Sequence, residues 1–122
     1  MIVEYLKHQG ITVVHLNLMR LDAENAEETL EQLKFTLNKT EHLIIDLSSM
    51  EYMDSSGLGV LLNCYREQKA EGNEIFIVAV TPMVKTLFDL VYMEKIIKVF
   101  GDLKTAIRST KNYSVEDATK II

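Results

Sequence analysis

The chain has 122 residues, the length of one domain with one core. Hydrophobic residues make up 48% and charged residues 25%, as in an ordinary globular protein, and no apolar run approaches the roughly 18 residues that span a bilayer. A formal net charge of -5, with lysines and arginines scattered and no aromatic interleaving, argues against nucleic acid as a partner. The lone cysteine, Cys64, leaves no internal disulfide. That fits a reducing compartment, and "MIVEYLKHQG" has no basic region followed by an apolar block. A cytoplasmic protein that binds no membrane is the expectation.

Residues 2–7, "IVEYLK", alternate loosely and carry β-branched and aromatic side chains. "HQG" supplies a turn, and residues 11–18 read as the second strand of a hairpin. Asp22 is a candidate N-cap for a helix in which Ala26, Leu30, Leu33 and Leu37 share a face. The acidic run from Glu24 to Glu31 is its solvated side, with acids early and Lys39 late, as the helix dipole favours. Residues 42–47, "HLIIDL", have strand length.

After "SSMEYMDSS" comes "GLGVLLNCYREQKAEG", a helix with Leu58, Leu61, Leu62 and Tyr65 on one face and Gly72 as its stop. Residues 74–80 form an apolar strand buried on both faces. Thr81 and Pro82 open the next helix as N-cap and first residue, with Val84, Leu87, Phe88 and Val91 inward. A short strand follows at 96–100, and Asp102 caps a last helix, "LKTAIRST". Residues 111–122 form a C-terminal extension in which Ser114 and Asp117 have capping-box spacing, suited to one or two further helical turns. The order β-β-α-β-α-β-α-β-α predicts an α/β fold. It has a mixed sheet of four or five strands, an N-terminal hairpin and packed helices.

The stretch "MDSSGLG", Met53 to Gly59, is the one that does not read as plain scaffold. It lacks the lysine of a phosphate loop. It lacks the third glycine of a dinucleotide fingerprint, since Leu62 stands there. It also lacks the Gly-x-Ser-x-Gly of a nucleophile elbow. His8, His15 and His42 have no metal-ligand spacing. What remains is a strand–loop–helix junction with hydroxyls at the positive end of a helix, where an added phosphate is electrostatically favoured. Ser55 is read as the cap, which leaves Ser56 the freer hydroxyl. Gly57 and Gly59 remove bulk beside it, so that a partner's backbone can approach. Asp54 either orients the hydroxyl or is a second cap candidate. Met50, Met53, Met83 and Met93 read as loop-end packing residues, of which an exposed subset could form an adaptable contact surface. Cys64 reads as a semi-buried thiol.

"LIIDLSSMEYMDSSGLGVLL", followed by "TPMVKTLFDLVYMEKII" at its distance, resembles the STAS-domain family. Within that family, the bacterial anti-sigma factor antagonists are the nearest resemblance. It covers residues 2–108 and is most specific from Asp46 to Gly59. It implies a single domain over residues 1–110 and no enzymatic activity. It also implies a partner that is both anti-sigma factor and serine kinase. That kinase would phosphorylate Ser56, the second serine of the motif, and so release itself. A serine phosphatase would reset the switch. ATP would belong to the kinase, so the chain itself needs no cofactor. Asp22, Met53, Asp54, Ser55, Gly57, Leu58 and Gly59 would form the partner-binding surface around Ser56, on a monomer or weak homodimer. One departure stands out: the family loop often reads Gly-x-Leu/Ile-Asp, and here Met19 replaces the glycine. The alternative is a STAS scaffold, without phosphorylation, in a sensory or transport assembly.

Overall fold

The computed structural model describes residues 2–37 and 41–110. The predicted extension at 111–122 and Lys39 lie outside the described residues. The hairpin forms as predicted, from β1 (Val3–His8) and β2 (Ile11–Leu16). Its two-residue turn needs positive φ at both positions, met by Gln9 (47°) and Gly10 (81°). From β2 the chain alternates: α1 (Ala26–Thr36), β4 (His42–Asp46), α2 (Ser55–Ala70), β6 (Ile75–Val78), α3 (Pro82–Leu90), β7 (Lys98–Phe100) and a helix α4 over 103–110. Each crossover sets the next strand parallel, so the sheet runs β1-β2-β4-β6-β7 with only the first pair antiparallel.

Two features escape the sequence reading. Arg20–Leu21 (β3) and Tyr52–Met53 (β5) pair in parallel as a separate two-stranded sheet. A 3-10 turn, Met93–Lys95, precedes β7. Pairs of two residues are too short to show any periodicity.

Strand alternation divides the apolar residues between two cores. Val14, Leu16, Leu43, Ile45, Ile75 and Ile77 point to one face. There they meet Leu33 of α1, Leu58, Leu61 and Cys64 of α2, and Val84 and Phe88 of α3. Ile11, Ile44, Phe76 and Val78 point to the other, where Ala106 of α4 covers them. β6 is buried at all four positions because it is central and covered on both faces.

Several caps differ from expectation. Asn25, not Asp22, stands at the N-cap of α1 and makes no side-chain capping bond. Asp22 instead closes the preceding turn: its Oδ1 accepts from Glu24 N–H at 3.0 Å. Thr81 occupies the N-cap of α3, but its hydroxyl donates to the Met50 carbonyl at 2.6 Å, tying α3 to the loop after β4. Asp102 caps as predicted, accepting from Thr105 N–H at 2.7 Å. That bond, with a second to the Thr105 side chain, holds the Asp102 carboxyl below its usual range.

Candidate partner-binding and phosphorylation site

Asp54 organises the site. It has extended backbone angles, follows β5 directly and stands at the N-cap of α2. Its Oδ1 accepts from Ser56 N–H at 2.8 Å and Gly57 N–H at 3.2 Å, satisfying two of the helix's open donors. The expectation that Ser55 supplies the cap is therefore corrected. A carboxylate accepts two N–H groups at once and complements the dipole, which a hydroxyl does less well. Both serine hydroxyls are left without a hydrogen bond among the described residues. Ser55 is exposed and Ser56 half-buried.

The second Asp54 oxygen reaches across to another element. Ala23 N–H donates to Oδ2 at 3.3 Å, and Asp54 N–H donates to the Leu21 carbonyl at 3.2 Å. Together with the β3–β5 pairing, these bonds hold the loop at 21–24 against the start of α2. Asp22 and Ser56, distant in sequence, so belong to one surface. Arg20 lies in it as well, 3.4 Å from Asp22 Oδ2 and over the Tyr52 ring at 4.9 Å. A phosphate on Ser56 would stand beside the Asp54 carboxylate that accepts from the Ser56 N–H, with the Asp22 loop held next to it.

The glycines play different parts. A Cβ on Gly57 would lie 2.5 Å from Met53 Cγ and 2.8 Å from the Leu21 carbonyl oxygen, so Gly57 lets α2 close on the small sheet. Gly59 is exposed, with nothing within 4 Å of its would-be Cβ. Met53 (5% exposed) and Leu58 (9%) sit in the core beneath the site. Asp22, Asp54, Ser55, Ser56 and Gly59 are the sequence-singled residues that reach its surface.

Beside this surface lies an open concavity of about 590 Å³, lined by Met19, Arg20, Glu51, Tyr52, Thr81, Pro82 and Met83. Met19 and Met83 are exposed there, whereas Met50, Met53 and Met93 are buried. Sequence reasoning missed Arg20 and Tyr52, because nothing in a two-residue strand marks which side chain faces a site.

Comparison with known proteins agrees with this architecture. The family model of the STAS domain matches residues 3–106. An anti-sigma F factor antagonist from Paenibacillus polymyxa is 29% identical over 107 residues, covering 86% of this chain and 91% of the relative. Among solved structures, an anti-sigma factor antagonist from Mycobacterium paratuberculosis superposes with a TM-score of 0.79 at 23% identity. That match covers 89% of this chain and 92% of the other. The Bacillus cell fate determinant SpoIIAA in its phosphorylated form superposes with a TM-score of 0.64 at 17% identity, covering 88% and 98%. The two structures share the fold, and the family model spans both the hairpin and the "DSSG" junction. On that ground the chain belongs to the STAS-domain family.

Proposed function

We propose that the protein is an anti-sigma factor antagonist. In this reading it binds an anti-sigma factor that is also a serine kinase, frees the sigma factor, and is switched off by phosphorylation of Ser56. The observation that carries the reading is the cap. Asp54 satisfies the start of α2, so both serine hydroxyls are open to chemistry, and its other oxygen fastens the Asp22 loop beside them. The names of its relatives and the phosphorylated state of a structural neighbour support the same reading.

Unmodified, the surface of Asp22, Asp54, Ser55, Ser56 and Gly59 would dock on the kinase, with Met53, Gly57 and Leu58 holding it from below. The kinase transfers the γ-phosphoryl group of its ATP to the Ser56 hydroxyl. Close to two negative charges then stand beside Asp54 and Asp22 and must be desolvated on binding. A penalty of about 3 kcal/mol weakens the complex more than a hundredfold, with no change of fold. A serine phosphatase would restore the docking state. Exposure alone favours Ser55; the choice of Ser56 rests on the resemblance of the motif.

A pull-down from the native cell, run for wild type, Ser56→Ala and Ser56→Asp and read by mass spectrometry, tests the proposal. Wild type and Ser56→Ala are expected to retain an ATPase-type kinase that Ser56→Asp loses. Fragment spectra from wild type incubated with that kinase and ATP should place the phosphate on Ser56 and not Ser55. Equal capture by all three would leave the scaffold reading in its place.

A further inference from the structure

The first strand ends the sheet on one side, and no strand among the described residues pairs with its outer edge. An open edge offers unpaired N–H and C=O groups to another strand. Which groups are open follows from two hydrogen bonds. Asn17 N–H donates to the Ile2 carbonyl at 2.8 Å, so the even-numbered residues of β1 turn their backbone groups toward β2. Val3, Tyr5 and Lys7 therefore turn theirs outward. At Val3 that position is filled, because its N–H donates to Gln32 Oε1 of α1 at 3.3 Å. The Val3 N–H is thus taken, whereas Tyr5 and Lys7 keep their outward groups open among the described residues.

Exposed apolar side chains gather at this open part. Tyr5 is 54% exposed and Leu6 66%. Phe35, at 93%, is the most exposed large apolar side chain among the described residues. It follows Gln32 by three residues and so shares the flank of α1 that reaches the edge. Since α1 crosses over between parallel β2 and β4, it runs in the same direction as β1. Phe35 therefore lies one helical turn past Gln32, in the direction that leads along β1 from Val3 to Tyr5.

The geometry points to a second copy of this chain as the occupant: two β1 edges pair antiparallel about a two-fold axis at Leu6 and join two five-stranded sheets. Directly opposed residues in such a pair share a face. An axis at Leu6 sets Leu6 against the partner's Leu6, Tyr5 against the partner's Lys7, and Glu4 against the partner's His8. No like charges oppose, and the Lys7 stem lies along the Tyr5 ring. An axis at Tyr5 would instead require the Val3 backbone, which Gln32 already holds. The same two-fold brings both α1 helices to one side of the joined sheet, where Phe35 gains cover. One short strand pair and three apolar side chains fall below the roughly 1,200 Å² of a stable interface, so the dimer is weak and concentration-dependent.

Sedimentation velocity over about a hundredfold range of protein concentration reads the association. Cysteine crosslinking under mild oxidation reads the register. Wild type should shift toward dimer as concentration rises. Leu6→Lys, which opposes like charges on the axis, should weaken association at least about tenfold. Phe35→Glu should weaken it while circular dichroism stays native. Leu6→Cys should form a disulfide-linked dimer faster than Tyr5→Cys or the exposed α4 control Thr105→Cys. The native Cys64 is buried and does not compete. Three results would overturn the inference: a monomer at every concentration, Leu6→Cys crosslinking no faster than Thr105→Cys, or Tyr5→Cys crosslinking fastest. None of these readouts depends on Ser56, so this proposal and the kinase switch stand or fall separately.

Discussion

Gly57 and Gly59 look interchangeable in "SSGLG", yet they occupy opposite environments. Gly57→Ala would press a methyl group against Met53 and, less forgivingly, the Leu21 backbone oxygen. Overpacking of that kind costs about 1–3 kcal/mol, against a helix-propensity gain of about 1 kcal/mol. A net loss of stability is expected. Gly59→Ala has open space and should stabilise by up to about 1 kcal/mol. Denaturant melts of the two variants check the pair, and similar midpoints would mean that the close approach of α2 is not fixed. Sequence reading singled out both glycines but gave them one role, because spacing shows that a side chain is absent and not what its absence admits. Asp54 is the reverse case. Its capping chemistry was legible among the alternatives; its bond to Ala23 N–H was not, since a loop contact across 31 residues leaves no periodic trace.

At the scale of elements, chemistry local to a few residues was the most legible. Gly72 ends α2 with φ at 76°; its N–H donates to the Lys69 carbonyl at 3.0 Å and Asn73 N–H to the Gln68 carbonyl at 2.8 Å. This is the paired-bond stop that a glycine after a helix announces. Gly72→Ala should destabilise by about 1 kcal/mol and Gly72→Asn by less, since asparagine tolerates the left-handed region better. Thermal melts of the two variants decide it. Thr81 and Asp22 were read as caps from residue type alone. Each turned out to use its oxygen elsewhere, Thr81 on the Met50 carbonyl and Asp22 on its own turn. A hydroxyl or carboxylate near a helix start has several partners within reach, and tertiary position decides among them.

Over the whole molecule, the sheet with helices on both faces makes Cys64 more than the semi-buried thiol its helix position suggested. Burial pushes its pKa from the ordinary 9.0 to about 12, with the Glu67 charge adding and Lys34 opposing. The thiol should resist alkylation in the folded protein near neutral pH and react once the chain unfolds. The linkage has a definite sign. Between pH 9 and about 12 the unfolded chain releases a proton that the folded chain keeps, so stability falls as pH rises through that window. Other groups titrate there too. The measurement is therefore the difference in denaturation midpoint between wild type and Cys64→Ala, followed with pH: the wild type should lose the more stability. A constant difference would show that the thiol ionises as readily inside as out.

By itself the sequence determined the element order, the hairpin, the mostly parallel sheet and the place of the "DSSG" junction at a helix start. Hydrophobic period and turn residues act over a few residues, and the alternation of strands with helices, which sets neighbouring strands parallel, is written in order along the chain. Between two neighbouring cap candidates the structure chose Asp54 over Ser55; the tertiary structure alone decided that Gly57 faces the Leu21 backbone and that the Asp22 loop stands beside the start of α2. It also decided that, among the described residues, the outer edge of β1 has its Val3 N–H taken by Gln32 and no strand beside Tyr5 and Lys7. These depend on which segments meet in space. Such meetings are set by the packing of two cores at once, and no window of the sequence contains both sides of them.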